Sequence, residues 1–214
     1  MGLWLWGVSC LRAKSKRLGR VYRVKTKKPT RDKILDATFK LVYVHGYNGT
    51  SMDMILKMCA VPKGSLYYHF LSKKDVVLAV VKERISPRMN DFYELKQISD
   101  EHEINTIINT ILKVSQKQDL IKYGCPLNRL NQEMSPVDED FDREINLIYL
   151  NIKNKIKVLL ENSNLQNQKE CDSLSEFIVG TVWGSLSLSP NQSSKQRYLD
   201  SIKHLIIYLK SLKK

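Results

Sequence analysis

Residues 63–70, KGSLYYHF, combine small, polar and aromatic side chains that suit contact with DNA. Leu66 and Phe70 are four residues apart, so on a helix they point the same way. The small and polar residues fall mostly on the other side: Gly64, Ser65, Tyr68 and His69. That side offers hydrogen-bonding groups and, at Gly64, lets the backbone approach a partner closely. A short helix of this kind suits entry into the major groove of DNA.

Two short helices joined by a tight turn must position these residues. Ser51 is a hydroxyl residue suited to cap a helix that begins at the next residue. Apolar positions then recur with helical spacing at Met52, Ile55, Leu56 and Cys59. Residues 60–62 interrupt this pattern, and Pro62 suits the start of a second helix because no backbone donor is needed there. The pattern predicts a helix-turn-helix motif at about residues 51–70.

The sequence KGSLYYHF followed by SKKD, with GYNGTSM upstream, closely resembles the signature of the TetR/AcrR family of bacterial transcriptional regulators. The resemblance is dense from Thr30 to about Val81, and the rest of the chain is compatible with it. Two positions depart from the family pattern. Ala60 stands where the family often has a turn glycine, and Leu56 stands where a small alanine is common. Both departures concern packing in the first helix and turn of the motif, not the presumed DNA face.

The resemblance implies two groups of DNA-binding residues. The residues nearest base edges would be Lys63, Gly64, Ser65 and Tyr67. The residues that anchor phosphates would be Thr50, Ser51, Tyr68, His69 and Lys73. Their chemistry agrees, since lysine can meet guanine acceptors, serine can donate or accept, and tyrosine or histidine can bind phosphate. For Tyr67, packing of the ring beneath the helix is an equal alternative to a DNA contact.

The chain of 214 residues has a net charge of +13, and the positive charge is concentrated in its first third. Residues 1–28 contain nine lysines and arginines and no acid, and residues 29–75 contain seven against four acids. The remainder is nearly neutral. This asymmetry is expected when a DNA-binding end is joined to a part that does not bind DNA.

Residues 1–28 form a separate feature, in which a short apolar stretch precedes a basic run. One interpretation is a basic arm that reaches DNA phosphates or a minor groove. The other is a disordered leader that results from a start site assigned too early. The segment lacks the positive start of a signal peptide. In either case its charge should raise salt-sensitive DNA affinity.

The composition predicts a globular protein without a membrane partner, because no apolar run approaches the roughly 20 residues of a membrane helix. The four cysteines show no ligand or CxxC spacing: Cys10, Cys59, Cys125 and Cys171. We therefore expect a reducing, cytoplasmic location.

The apolar spacing of the remaining chain is helical, so we predict an all-α fold. An N-terminal three-helix domain with the helix-turn-helix would span residues 29–86, and a C-terminal helical ligand-binding and dimerisation domain would span 87–214. Ser72 should cap a long connecting helix that Pro87 interrupts or kinks. In the family the last two helices build a four-helix dimer interface. The alternative is that their apolar faces complete the core of one subunit.

Family members commonly bind a small molecule within the C-terminal helices. Candidates are aromatic or sulfur-bearing residues, several of them near loop breaks: Phe92, Tyr93, Tyr123, Cys125, Met134, Tyr149 and Trp183. Ordinary core packing is the alternative for each of them. Cys125, between glycine and proline, could be a redox sensor or a plain loop thiol.

No catalytic motif or metal-ligand spacing is recognisable, so we predict neither an enzyme nor a cofactor or metal. The sequence predicts a homodimeric repressor that binds a near-palindromic operator and leaves it when a small-molecule effector binds. Two alternatives stay open. One is a ligand-independent dimeric DNA-binding protein, and the other is an enzyme on a helical scaffold.

Overall fold

The computed structural model describes residues 29–95, 103–163, 168–188 and 194–212, and the basic segment 1–28 lies outside them. These ranges contain helices and no strand. The helices are α1 (Thr30–His45), α2 (Met52–Cys59), α3 (Lys63–His69), α4 (Lys73–Val80), a π turn (Val81–Ile85), α5 (Ser86–Phe92), α6 (Glu103–Val114), α7 (Gln118–Tyr123), α8 (Pro126–Met134), α9 (Glu139–Asn162), α10 (Gln168–Ser187) and α11 (Ser194–Ser211). The predicted all-α class is confirmed.

Helices α1, α2 and α3 form the predicted three-helix unit around a shared apolar centre. Ser51 caps α2, where its hydroxyl accepts a hydrogen bond from the Met54 amide at 3.2 Å. Leu66 and Phe70 are buried, as their spacing predicts, and α3 packs against α1. Each such buried side chain contributes about 1.5–3 kcal/mol. The inner side of α3 is thereby fixed, and its other side is left for a partner.

Ala60 ends α2 in a left-handed backbone conformation, with φ 51° and ψ 45°. Its amide donates to the Leu56 carbonyl, which closes the helix. A side chain bearing Cβ is disfavoured in this conformation, which explains why a glycine is common here in the family that the sequence resembles.

Ala60→Gly is expected to raise the free energy of unfolding by about 0.5–1 kcal/mol. Relief of the left-handed strain is worth about 1–2 kcal/mol, and the greater freedom of glycine in the unfolded chain offsets part of it. The exposed methyl group makes no buried contact that would be lost. Urea unfolding followed by circular dichroism measures the change, and a lower stability would contradict the argument.

The connector to the second half continues from α4 through the π turn into α5 and does not end at Pro87. Its disruption is the π turn one turn earlier, in which the Ser86 amide donates to the Val81 carbonyl. Pro87 has no N–H and its ring would clash with the carbonyl of Glu83, so an α-helical register cannot pass through it undisturbed. The guanidinium of Arg84 donates to this carbonyl at 3.1 Å, which keeps it satisfied.

The C-terminal helices pack around the long helix α9, which contacts α6, α8 and α10. Helix α7 was not predicted, because its six residues are too few to display a clear apolar period. Buried side chains form one continuous cluster from α1 to α11, so the division at residues 86 and 87 stays a prediction. None of the helices within the described ranges combines the length and apolar character required to cross a membrane.

Candidate nucleic-acid interface

The outer side of α3 is open to solvent along its whole length. Lys63 and Gly64 are exposed, as are Tyr67 (38%) and Tyr68 (85%) in the next turn. A Cβ built on Gly64 would meet no atom within 4 Å. The surface therefore accepts a close partner without rearrangement of the protein. The ammonium of Lys63 lies 5.9 Å from the centre of the Tyr67 ring, which directs both side chains to this surface.

Ser65 and His69, the two remaining candidates on α3, lie at the edges of this surface and are half-buried. The His69 ring packs edge-on against Tyr68, with ring centres 5.1 Å apart. Apart from this ring contact, the Tyr68 side chain is largely exposed to solvent. The structure keeps the α3 candidates together on one side of the helix.

The residues between α1 and α2, Gly46–Ser51, form a tight corner, which we call the α1–α2 corner. Ser51 is exposed at its end. Thr50 differs from the expectation, because it is only 2% exposed and its hydroxyl donates to the Gly46 carbonyl at 2.8 Å. Thr50 therefore holds the corner, and its hydroxyl does not face outward. The sequence could not show this because both threonine and serine hydroxyls suit phosphate binding.

Lys73 and Lys74 are neighbours with different partners. The Lys73 ammonium donates to the Tyr47 carbonyl at 3.2 Å and lies 4.1 Å from the centre of the Tyr47 ring. Lys73 is thus fixed against the α1–α2 corner without any acidic partner among these contacts. The Lys74 ammonium pairs with Asp138 at 2.8 Å and Asp140 at 2.9 Å, and these bonds raise its pKa. Of these two lysines, it is Lys74 whose charge is compensated by acidic partners.

Two exposed apolar residues beside α3 escaped the sequence analysis. Leu71 is 83% exposed and lies just beyond the end of α3, in the turn that leads to α4. Met58, near the end of α2, is also largely exposed. From the sequence alone, hydrophobic residues next to a recognition helix are interpreted as core residues, and only the structure shows that these two are exposed.

The ligand candidates of the C-terminal half are distributed over several helices. A small internal cavity, about 10 Å³, lies between the connector and helices α6, α9 and α10. Its lining is almost entirely apolar: Tyr93, Leu95, Ile107, Thr110, Ile111, Val114, Ile156, Ile178, Val179 and Val182. Tyr93 is the candidate that lines it. An outer groove of about 390 Å³ shares Tyr93 and Leu95 with this cavity.

The other six candidates are not among the residues that line this cavity. Phe92 packs edge-on against Tyr93 at 5.1 Å, and Tyr149 packs edge-on against Trp183 at 5.4 Å. Tyr123 packs against Tyr43 of α1, with ring centres 5.8 Å apart. Cys125 and Met134 are buried in α8 or at its start. The cavity lining is aliphatic, whereas the sequence analysis had favoured aromatic residues.

Cys125 is a buried thiol at the start of α8. Burial raises the pKa of its thiol to about 11, although the amides of Asn128 and Leu127 act in the opposite direction. A thiol of this kind carries little thiolate at neutral pH, which favours the plain packed thiol over a sensor. Within the described ranges, no three His, Cys, Asp or Glu side chains form a group that could hold a metal ion.

The exposed helix α3, its supporting partner α2 and a helical domain behind them define a helix-turn-helix protein. A family model described as bacterial regulatory proteins of the tetR family matches residues 34–80. An uncharacterized HTH-type transcriptional regulator in the lacX 3' region of Lactococcus lactis subsp. lactis is 32% identical over 161 residues, which cover 74% of this chain and 82% of that protein.

Two further similarities concern a shorter stretch and the fold. IcaR of Staphylococcus aureus strain Newman, the negative regulator of the biofilm operon icaADBC, is 46% identical over 52 residues, 24% of this chain and 28% of IcaR. A TetR transcriptional regulator from Chloroflexus aurantiacus J-10-FL has the same fold, with a TM-score of 0.74 at 20% identity over 85% of this chain and 94% of that one.

The chain therefore belongs to the TetR family of bacterial transcriptional regulators. It is a regulator and not an enzyme, which removes the enzyme alternative. The resemblance recognised in residues 49–75 is confirmed.

Proposed function

We propose that this protein is a cytoplasmic, homodimeric repressor that binds a near-palindromic operator through α3 and releases it when a small molecule enters the C-terminal domain. The open outer side of α3 carries the proposal. Lys63, Gly64, Ser65 and Tyr67 would face base edges, and Ser51, Tyr68, His69 and Lys73 would bind phosphates, with Thr50 holding the corner. Repression is further supported by the similarity to IcaR over the motif.

A homodimer is supported by an uncovered surface on α10. Phe177 of this helix (54% exposed) and Leu188, directly after its end (63% exposed), are uncovered apolar side chains about three helical turns apart. Gly180 and Gly184 lie between them, and a Cβ on either glycine would meet no atom within 4 Å. Small residues between two exposed apolar ones allow a second helix to approach closely. Ile207 and Tyr208 of α11 are likewise exposed. A short recognition helix reads few bases, so two copies supply the missing specificity.

The effector is expected to be uncharged. The internal cavity offers no charged side chain, and burial of an unpaired charge there would cost several kcal/mol. The hydroxyl of Thr106, one turn before the lining residue Thr110, is buried without a hydrogen-bond partner. The present space holds about one water molecule. An effector must therefore part α6, α9 and α10, and this movement would accompany release.

The small volume of this cavity also favours the second candidate, a dimeric DNA-binding protein that does not respond to a ligand. The two differ in their response to neutral apolar compounds, such as naphthol, added to the protein–DNA complex. Release by neutral compounds but not by charged analogues, such as naphthoate, supports the repressor with an effector. No release by any of them supports the ligand-independent protein.

The test of DNA binding is titration of the purified protein with the intergenic DNA upstream of its own gene, across a range of salt concentrations. Tyr68→Ala is expected to weaken selective binding about tenfold, because a hydrogen bond to phosphate is lost in each half-site. The fold should be unaffected, since Tyr68 is exposed. Tyr68→Phe keeps the ring and should lose most of the same affinity.

Lys63→Ala and a deletion of residues 1–28 complete this experiment. Selective binding that disappears with Lys63→Ala but survives the deletion supports the motif as the reader. Binding that ignores sequence and vanishes with the deletion would show that a basic tail, not α3, binds DNA. Unchanged affinity of Tyr68→Ala would remove the phosphate-anchor role of this residue.

A further inference from the structure

Helix α8 of the C-terminal half contacts the end of α1 through Arg129. The guanidinium Nη1 donates to the carbonyls of Tyr43 at 3.3 Å and Val44 at 3.0 Å. The last carbonyls of a helix have no donor within the helix, and a positive charge there also complements the helix dipole. Arg129 thus satisfies groups of α1 that would otherwise depend on water.

Glu133, one turn further along α8, contacts the α1–α2 corner itself. Its Oε2 accepts a hydrogen bond from the Asn48 amide at 3.0 Å, and its Oε1 lies 3.4 Å from Nε of Arg129. A Cβ built on Gly46 would lie 2.0 Å from the same Oε1. The carboxylate therefore sits directly against the backbone of Gly46, and a larger residue there would displace it.

The opposite side of the corner holds residues of the proposed DNA surface. The Tyr47 carbonyl accepts from Lys73, and the Tyr47 ring packs edge-on against Phe141 of α9 at 5.4 Å. Ser51 is the last residue of the corner and caps α2. A few residues of backbone therefore connect α8 and α9 on one side with Ser51 and Lys73 on the other. A displacement of α8 would move both phosphate-binding residues.

We propose that Arg129 and Glu133 are positioning residues for DNA binding, although both lie outside the helix-turn-helix motif. They fix the α1–α2 corner, and the corner fixes Ser51, Lys73 and the start of α2 relative to α3. The inference needs only that the chain binds DNA through α3, and it does not depend on an effector.

The sign of the effect of Glu133→Ala tests this role. Removal of an acid makes the protein more positive, which by electrostatics alone tightens DNA binding. Loss of the corner contact predicts the opposite, a roughly five- to tenfold weaker affinity for the selected DNA. The matched control is Glu139→Ala, which removes the same charge from an exposed position in the first turn of α9. The control should bind as tightly as the wild type or more tightly.

Glu133→Gln removes the charge of this side chain but keeps an oxygen at the position that contacts the corner. Its amide oxygen can still accept from the Asn48 amide, so DNA affinity should stay within about twofold of the wild type. For the arginine, Arg129→Ala should lower DNA affinity about fivefold. The control is Arg143→Ala, which removes the same charge from a largely exposed side chain in contact with Asp140 and Glu144 and should lower the affinity less. Affinities are measured by fluorescence anisotropy on full-length protein, well below the melting temperature of each variant.

Amide hydrogen exchange supplies a readout that does not involve DNA. The backbone N–H of Asn48 should be protected from exchange in the wild type and in Glu133→Gln, and it should exchange faster in Glu133→Ala. Equal or tighter DNA binding by Glu133→Ala overturns the proposal. A loss in Arg143→Ala as large as that in Arg129→Ala overturns it as well. Absence of selective binding by the wild type would overturn both this proposal and the DNA-binding function, whereas a failure of this proposal alone shows only in the variants.

Discussion

Gly64→Gln is expected to make the folded protein more stable and to reduce operator affinity roughly 100-fold. Glutamine favours a helix over glycine by about 0.5–1 kcal/mol, and the site has open space, since a Cβ there meets no atom within 4 Å. In the complex that same space would be occupied by DNA. A side chain forced into a close contact costs about 1–3 kcal/mol in each half-site, and 1.4 kcal/mol corresponds to a factor of ten.

Gly64→Ala is the matched control for this prediction. It gains a similar helix preference but adds one methyl group, so stability should rise and affinity should fall much less than with glutamine. Urea unfolding and anisotropy titration on the same preparations measure the two quantities. A glutamine variant that binds its operator as tightly as the wild type would falsify the placement of Gly64 at the DNA surface. A variant that loses both stability and affinity would show that the outer side of α3 is packed in the native protein.

The features predictable from the sequence are those that local chemistry determines. Ser51 and Ser72 cap α2 and α4 because a hydroxyl before a helix can accept from an amide two or three residues ahead. Leu66 and Phe70 are buried because their spacing puts them on one side of a short helix. Both signals act within a few residues, so no knowledge of the remaining chain is required.

The side-chain partners that depend on distant residues were not predictable. Lys73 and Lys74 are adjacent and chemically identical, yet one binds the α1–α2 corner and the other binds acids at the start of α9. The choice depends on where α9 begins relative to α4, and the spacing of apolar residues does not report this. The same holds for Thr50, whose hydroxyl is taken by a carbonyl four residues earlier.

The lining of the internal cavity was missed for a related reason. Aliphatic residues at helical spacing, such as Ile107 and Ile111, cannot be distinguished from ordinary core residues in the sequence. A cavity arises where three helices fail to close completely, and this depends on their relative positions. Large aromatic side chains attract attention in a sequence, but here Tyr149 and Trp183 fill space by packing on each other.

Gly46→Ala is expected to lower the free energy of unfolding by about 2–3 kcal/mol. Gly46 has φ 75° and ψ −177°, a backbone conformation that is essentially restricted to glycine and costs other residues about 1–3 kcal/mol. The new methyl group would also collide with the Glu133 carboxylate. Since that carboxylate ends a flexible side chain, it can move, but it would then lose its hydrogen bond from Asn48.

Gly64→Ala again serves as the comparison, because the same chemical change at a helical glycine in open space should have the opposite sign. The double variant Gly46→Ala, Glu133→Ala distinguishes the backbone strain from the collision with Glu133. Backbone strain persists when the carboxylate is absent, so the double variant should recover less than half of the loss seen on urea unfolding. Full recovery would mean that the collision with Glu133, and not the backbone conformation, makes glycine necessary. No loss in the single variant would mean that the corner adopts another conformation, in which residue 46 does not need a positive φ.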